Sequence, residues 1–550
     1  VTRLLPLALA VLLALTLLPG LAAVDALDER EARDMLVARE STAGREWLTP
    51  LYAHEPFFEK PLPGYAPDVL ARHAVPRAWT GAEGSGGHVA VSRAVRAALA
   101  AALSLAVAFA GTRVFGARTG WLAACALASM AGLPVAARAD GAQVLASLLA
   151  WLGIAAWLGV LTGKARRAGL SVASGWLALG GAALAGGPLP ALWPVAGFAL
   201  YFALARHHAG WKRLDPLAGA CVLAGVCLPW YGAEAAIHGA AFLGRVPWFP
   251  YAAGTREGVL ASLPLALSFA VVASFPWTPL LAAALADAAL RLRRAAPASA
   301  PGPPLDAEHV EHLLLAFALA ASATIALYPG PPLTSALPAL PAVALLVGRF
   351  VDRVPEGAGS GRALTHATRW LALLGTAFAV AGVLLSLRLG ESTAPVRLLA
   401  AVVFLASWTP LLADLRGMRR LAVGLFALPA AAGAPVLHAA VLPALEPWLN
   451  ARGVVEAVER VAPPGAPLVV WEPPPPSLRQ GLSRNLLRLS QLGPGGATGV
   501  ARDGYVYAAW RPSFERAAFA DVAAVAAGGT APEVLARTPV LVLGRFRPAP

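Results

Sequence analysis

Apolar runs of about 20 residues, long enough to cross a hydrocarbon layer roughly 30 Å thick as helices, recur along most of the chain between short polar groups. The first spans 4–24. After a mixed-charge interval, others fall near 90–111, 119–137, 141–163, 171–188, 189–206, 215–239, 258–290, 310–328, 332–350, 369–388, 396–414 and 421–445, about thirteen in all. The first run ends in Leu21-Ala22-Ala23-Val24, which also fits a signal-peptidase site; a retained helix would instead hold Asp28 at the bilayer surface. In the interval 25–89, the stretch from Asp28 to Glu40 has helical composition and is expected to lie along the interface, with Met35 and Leu36 against lipid or protein.

Beyond 445 the pattern changes. GVVEAVERVA predicts a helix, APLVVW and TPVLVLGRF predict strands, RDGYVYAAW predicts a strand after an Asp-Gly turn, and Pro473 to Pro476 marks a stiff loop. The expected organisation is mainly α: a transmembrane unit over 1–445, with 25–89 as its first external loop, and a small α/β domain over 446–550.

Composition agrees with the pattern. With 58% hydrophobic and 14% charged residues among 550, the chain departs from an ordinary soluble domain. Its formal charge of +13 is scattered in small groups between apolar runs, which argues against a nucleic-acid partner and for membrane loops. Arg113 and Arg118, Lys164, Arg166 and Arg167, and Arg291, Arg293 and Arg294 fall on the same side as Arg3. Positive-inside bias therefore puts the N-terminus in the cytoplasm and the 25–89 loop and C-terminal domain outside. The three cysteines, Cys125, Cys221 and Cys227, lie in apolar runs and have neither metal-binding nor disulfide spacing.

Candidate chemistry gathers on the outer side. Asp28, Glu29 and Glu31 follow the first span, and Arg138 and Asp140 sit where the third turns into the fourth. A carboxylate there could take a proton from an acceptor hydroxyl, and Lys60 and Arg138 could hold a phosphate leaving group. Charges at helix ends also serve as solvated anchors. Lys60, one of very few lysines, lies with Glu59 in the dense polar and aromatic stretch from Trp47 to Tyr65. Trp230, Tyr231, Trp248, Phe249 and Trp277 suit an interfacial belt or an aromatic wall for a polyprenyl chain. Glu59, His238 and His438 are acceptable ligands for a divalent ion, though their spacing does not require one.

Glu31-Ala32-Arg33, Ala38-Arg39-Glu40, Trp47-Leu48-Thr49-Pro50 and Phe57-Phe58-Glu59-Lys60-Pro61-Leu62 together resemble the first external loop of glycosyltransferase family 39, and most closely its bacterial branch of lipid A aminoarabinose transferases. The resemblance implies a C-type glycosyltransferase fold in the bacterial cytoplasmic membrane, with no cofactor required. It also implies an inverting transfer of a sugar from polyprenyl (undecaprenyl) phosphate to a lipid, glycan or protein acceptor on the outer face. Asp140 matches the family's second aspartate, and Glu59-Lys60 its Glu-Lys pair. Arg33, Arg138 and Tyr65 join these as binding candidates. The family's first motif reads Asp-Glu-x-Arg; the gap-free register puts Arg30 where its aspartate belongs, which leaves Asp28 and Glu31 as competitors for that role. The lysine often found before the Pro-rich start of a late helix is replaced by Pro329-Gly330-Pro331-Pro332. The rival class, a transporter or flippase of polyprenyl-linked precursors, needs polar groups at mid-depth, whereas the predicted helix centres are almost free of charge.

Overall fold

The computed structural model describes residues 2–27, 30–44, 47–74, 86–204, 208–244, 256–294, 304–325, 332–354, 358–389, 393–471, 475–482, 485–489, 492, 500–503, 505–514, 518, 521 and 532–547. Asp28, Glu29, Trp248, Phe249, Pro329 to Pro331, Pro473 and Pro474 lie outside the described residues.

Eight described helices are long and apolar enough to cross a membrane, or up to ten if two bent pairs each count as one span. The segment predicted at 4–24 is realised as α1 (Leu5–Leu17, 13 residues) and that at 189–206 as α9 (Leu189–Leu204, 16 residues). At about 1.5 Å per residue both are shorter than a perpendicular crossing requires. The loop contributes α2 (Arg30–Gly44), the hairpin strands β1 (Leu51–Tyr52) and β2 (Glu55–Pro56), a 3-10 turn at Leu62–Tyr65, and α3 (Ala66–Ala74). The bundle continues with α4 (Gly86–Phe115), α5 (Ala117–Ala128), α6 (Gly132–Ala139), α7 (Gly141–Leu161), α8 (Ala168–Gly186), α9 and α10 (Pro216–His238). Then follow α11 (Arg256–Ala273), α12 (Thr278–Arg294), α13 (Ala307–Ile325), α14 (Leu340–Arg353), α15 (Ala358–Leu389), α16 (Ala394–Leu415) and α17 (Arg419–Leu449).

Two segments predicted as single helices are broken. The run 119–137 bends by 58° between α5 and α6, and 258–290 bends by 118° between α11 and α12. The second break falls at Pro276, whose ring disfavours helical geometry in the residue before it and removes a backbone donor.

The buried centre is aromatic where α7, α9 and α13 meet: the Phe198 and Phe317 rings lie 4.7 Å apart, and Trp151 and Trp193 6.1 Å apart. On α8, Gly175 lets Trp157 approach, since a Cβ there would fall 2.1 Å from the indole nitrogen. Such close approach through small residues is how helices pack in lipid. By contrast, α15 exposes Leu373, Phe378, Val380, Leu384 and Leu387, a face suited to hydrocarbon rather than water.

The tail forms a five-stranded mixed sheet of β3 (Leu468–Val470), β4 (Leu486–Arg488), β5 (Val506–Trp510), β6 (Glu533–Arg537) and β7 (Val542–Phe546), in the order β4-β3-β5-β7-β6. Helix α18 (Arg452–Val461) covers one of its faces through Val454 and Val458. The short helix α19 (Pro476–Gly481) packs on α2 and joins the tail to the loop.

Candidate active site

Helix α2 is polar in sequence yet mostly buried, because its charged residues face the bundle rather than water. Arg30 and Asp34, one turn apart, share a face. Glu31 projects to the next face, and all three are at least 95% buried.

Arg30 makes a short ion pair with Asp140 Oδ2, and Lys60 Nζ donates to Asp34 Oδ2 at 2.8 Å. The two pairs share one electrostatic neighbourhood: Lys60 also acts on Asp140, and Asp140 on Asp34. Asp140 ends α6 and caps α7, its Oδ1 accepting from the Gln143 amide at 3.0 Å. Burial drives its carboxyl upward, but Arg30, Lys60 and that amide outweigh burial and hold it below the usual aspartate value. Asp34 shifts the other way. Burial dominates the attraction of Lys60 and Arg33 and raises its carboxyl, whose Oδ1 is buried without a hydrogen-bond partner.

The Lys60 ammonium also lies 4.7 Å from the centroid of the Tyr65 ring. Gly64 makes room for this arrangement, since a Cβ there would meet the Ala185 carbonyl at 2.4 Å and Lys60 Cδ at 2.9 Å. Before it, β1 and β2 turn through Ala53 and His54, both at positive φ (59° and 62°), the geometry of a two-residue hairpin.

Glu31 occupies a separate, fully paired pocket. Arg93 Nε and Nη2 each donate to it at 2.8 Å, as does the Leu27 amide, and Arg96 Nη1 lies 3.4 Å away. Burial raises its carboxyl, yet Arg93, Arg96 and the amide together leave it below the usual glutamate value. Arg96 reaches on to Asp68 and to the Arg138 carbonyl, passing Gly141, where a Cβ would fall 2.9 Å from Arg96 Nε.

The other sequence candidates divide between placements. Arg33 pairs with Glu59 at 2.8 Å, partly exposed, and lies 5.4 Å from the Phe57 ring centroid. Arg138 turns away from the Lys60 pair: its guanidinium donates to the carbonyls of Leu17, Pro19 and Gly20, satisfying the end of α1. His238 contacts Thr49 at 3.1 Å and Glu234 at 3.5 Å, while His438 is buried on α17 behind Gly20. The candidate metal ligands Glu59, His238 and His438 are not brought together. Among the described residues no group of three His, Cys, Asp or Glu side chains is placed to hold a metal ion, because the three belong to different contacts.

Sequence reasoning missed Asp34, Asp68, Arg93 and Arg96, and noted Arg30 only as a departure from the first motif. For Arg93 and Arg96 a signal existed: two arginines three residues apart, just inside an apolar helix, demand buried carboxylate partners.

These features define a helical protein in which at least eight described helices are long and apolar enough to cross a membrane, with a dry charged cluster where its first loop meets the bundle. The chain is similar in structure to ArnT from Cupriavidus metallidurans, solved in the apo state and bound to undecaprenyl phosphate. Each comparison gives 18% identity, 99% coverage of this chain, 98% of that chain and a TM-score of 0.75. A more distant likeness is the oligosaccharyltransferase of Archaeoglobus fulgidus in complex with zinc and sulfate, at 14% identity, covering 95% of this chain and 69% of that one, with a TM-score of 0.51. No known family description matches the sequence, and no curated protein sequence does.

Proposed function

We propose that the protein is an inverting glycosyltransferase of the bacterial cytoplasmic membrane that moves a sugar from a polyprenyl phosphate, such as undecaprenyl phosphate, to an acceptor on the outer face. The observation that carries this reading is the meeting of Arg30, Asp34, Lys60 and Asp140, drawn from α2, the following loop and the α6–α7 junction, in one dry cluster. Cations that stabilise a leaving phosphate and a carboxylate that takes a hydroxyl proton are what displacement of a phosphate by a hydroxyl uses. The acceptor oxygen bonds to the anomeric carbon as the bond from that carbon to the phosphate oxygen breaks. The electron pair leaves on the phosphate, where Lys60 as a compact charge and Arg30 as a planar donor neutralise it. Exclusion of water strengthens every such interaction.

A lipid-borne substrate fits the surroundings. An apolar cavity of about 560 Å³ opens between α6, the α11–α12 bend, α15, α16 and α17, lined by Val135, Phe275, Phe378, Val403 and Leu437, with His438 on its wall. His438 packs against Gly20, whose carbonyl accepts from Arg138. The cavity therefore adjoins the segment that carries Asp140.

The test is purified protein in lipid nanodiscs with labelled undecaprenyl phosphate. Wild type is expected to bind it and Lys60→Met to bind at least about tenfold more weakly, the loss of one charge-assisted contact. Equal binding by both proteins would remove Lys60 as the phosphate partner. Flipping of the labelled lipid, with no transfer from any undecaprenyl-phosphate sugar, would favour the transporter class instead.

A further inference from the structure

Among the described residues, four buried carboxylates, Glu31, Asp34, Asp68 and Asp140, cluster with Lys60 and the arginines where α2 meets α4 and the α6–α7 junction, and three are already committed. Glu40 and Glu234, also buried, lie off this cluster, beside the His54 amide and Thr49. Both oxygens of Glu31 are taken by Arg93, Arg96 and the Leu27 amide. Both oxygens of Asp140 are taken by Arg30 and the Gln143 amide. Asp68 is tied to Arg96 and Ser92. Asp34 differs: one oxygen accepts from Lys60, and the other is buried with no hydrogen-bond partner. A carboxylate whose charge is held by a guanidinium is a weak base, whereas an orphaned buried oxygen is costly until something occupies it.

We infer that Asp34 is the base that receives the acceptor's hydroxyl proton, which rests on the transferase reading above and names a residue that the family motif does not. The acceptor O–H donates to Asp34 Oδ1, and as the new C–O bond forms the proton passes to Asp34. The old bond's electrons leave on the phosphate beside Lys60. Proton acceptor and leaving-group cation are thus joined through one 2.8 Å contact, which fixes their spacing before substrate arrives. Arg30, one turn earlier on α2, fills the place of the family's first aspartate and instead anchors Asp140. Keeping Asp34 dry until an acceptor opens the site also protects the donor from hydrolysis.

The groups acting on Asp34 are Lys60, Arg33, Glu59, Asp140 and Arg96. Burial outweighs them and raises its carboxyl, in the direction a general base near neutral pH requires.

The deciding experiment uses the full chain in nanodiscs. It measures both undecaprenyl phosphate binding and release of undecaprenyl phosphate from a panel of its pentose and hexose derivatives, with bacterial envelope extract as acceptor. Asp34→Asn is expected to bind the lipid phosphate within a factor of about three of wild type while transfer falls about 10²- to 10⁴-fold. Formate is expected to restore part of the activity of Asp34→Ala. Wild-type kcat is expected to fall on the acid side with a midpoint above the ordinary aspartate value of about 3.9. Near-wild-type transfer by Asp34→Asn overturns the proposal, and so does parallel loss of binding and transfer, which would make Asp34 only a holder of Lys60. If the variants do not fold, a wild-type kcat flat from about pH 4 to 7 overturns it alone. Wild type that neither binds undecaprenyl phosphate nor transfers sugar fails the transferase reading itself, and the inference with it.

Discussion

Replacing Glu31 by Gln separates an architectural from a catalytic role for the residue that the motif pattern placed among the working acids. The substitution keeps the side chain's shape and one acceptor oxygen but removes the carboxylate charge ion-paired with Arg93. It also removes one of the two carboxylates, with Asp68, that serve Arg96. Glu31 and both arginines are essentially unexposed, so little solvent screening softens the loss. Removing one partner of such a buried pair costs about 3–5 kcal/mol, with Gln expected toward the lower end and Ala toward the upper. At roughly 2–4 °C per kcal/mol for chains of 150–250 residues, and less for longer ones, the unfolding midpoint should drop by several degrees.

The pH dependence has a definite sign. Because the folded-state Glu31 carboxyl lies below its ordinary value, its stabilising contribution is full above the unfolded value of about 4.3 and is lost as pH falls through the folded value. The gap between wild type and variant should therefore be constant from about pH 5 to 8 and narrow in acid. The assay is thermal unfolding of detergent-solubilised protein at pH 7 and pH 4, followed by transfer at a permissive temperature. An unchanged midpoint together with abolished transfer would refute the architectural role and return Glu31 to the chemistry.

Two further predictions concern close approaches. Gly64→Ala places a methyl 2.4 Å from the Ala185 carbonyl and 2.9 Å from Lys60 Cδ. It should weaken undecaprenyl phosphate binding, because Lys60 is the side-chain neighbour able to give way; unchanged affinity in a titration would count against it. Gly175→Ala drives a methyl into the Trp157 indole, nominally 2.1 Å away, and overpacking of this kind costs about 1–3 kcal/mol. It should lower the unfolding midpoint with donor affinity unchanged, and a wild-type midpoint would show that α8 can move.

The run of apolar segments made the membrane-bound helical architecture legible, because hydrocarbon thickness sets a length that any sufficiently apolar run must meet. The same pattern located the strands Leu468–Val470, Val506–Trp510 and Val542–Phe546 by alternation and flanking turns. It passed over Leu486–Arg488 and Glu533–Arg537, short strands whose identity depends on the partner they pair with. Bends were equally hidden. A hydropathy window over 258–290 sees one continuous stretch, while the chain turns at Pro276.

The site was legible in part. Lys60 and Asp140 stood out by residue type, position and motif, Glu59 was picked with them but pairs with Arg33 outside the cluster, and Arg30 was visible only as an anomaly in the first motif. Sequence alone indicated a charged loop after the first apolar run and an aspartate at the turn between two later ones, since local composition and helix ends act over a few residues. Only the tertiary structure decided which charge meets which. Glu31 and Asp34 are three residues apart on one helix, yet one faces Arg93 and Arg96 while the other faces Lys60. That choice is made by helix rotation against α4 and the 60–65 turn, and a linear pattern of carboxylates carries no record of it.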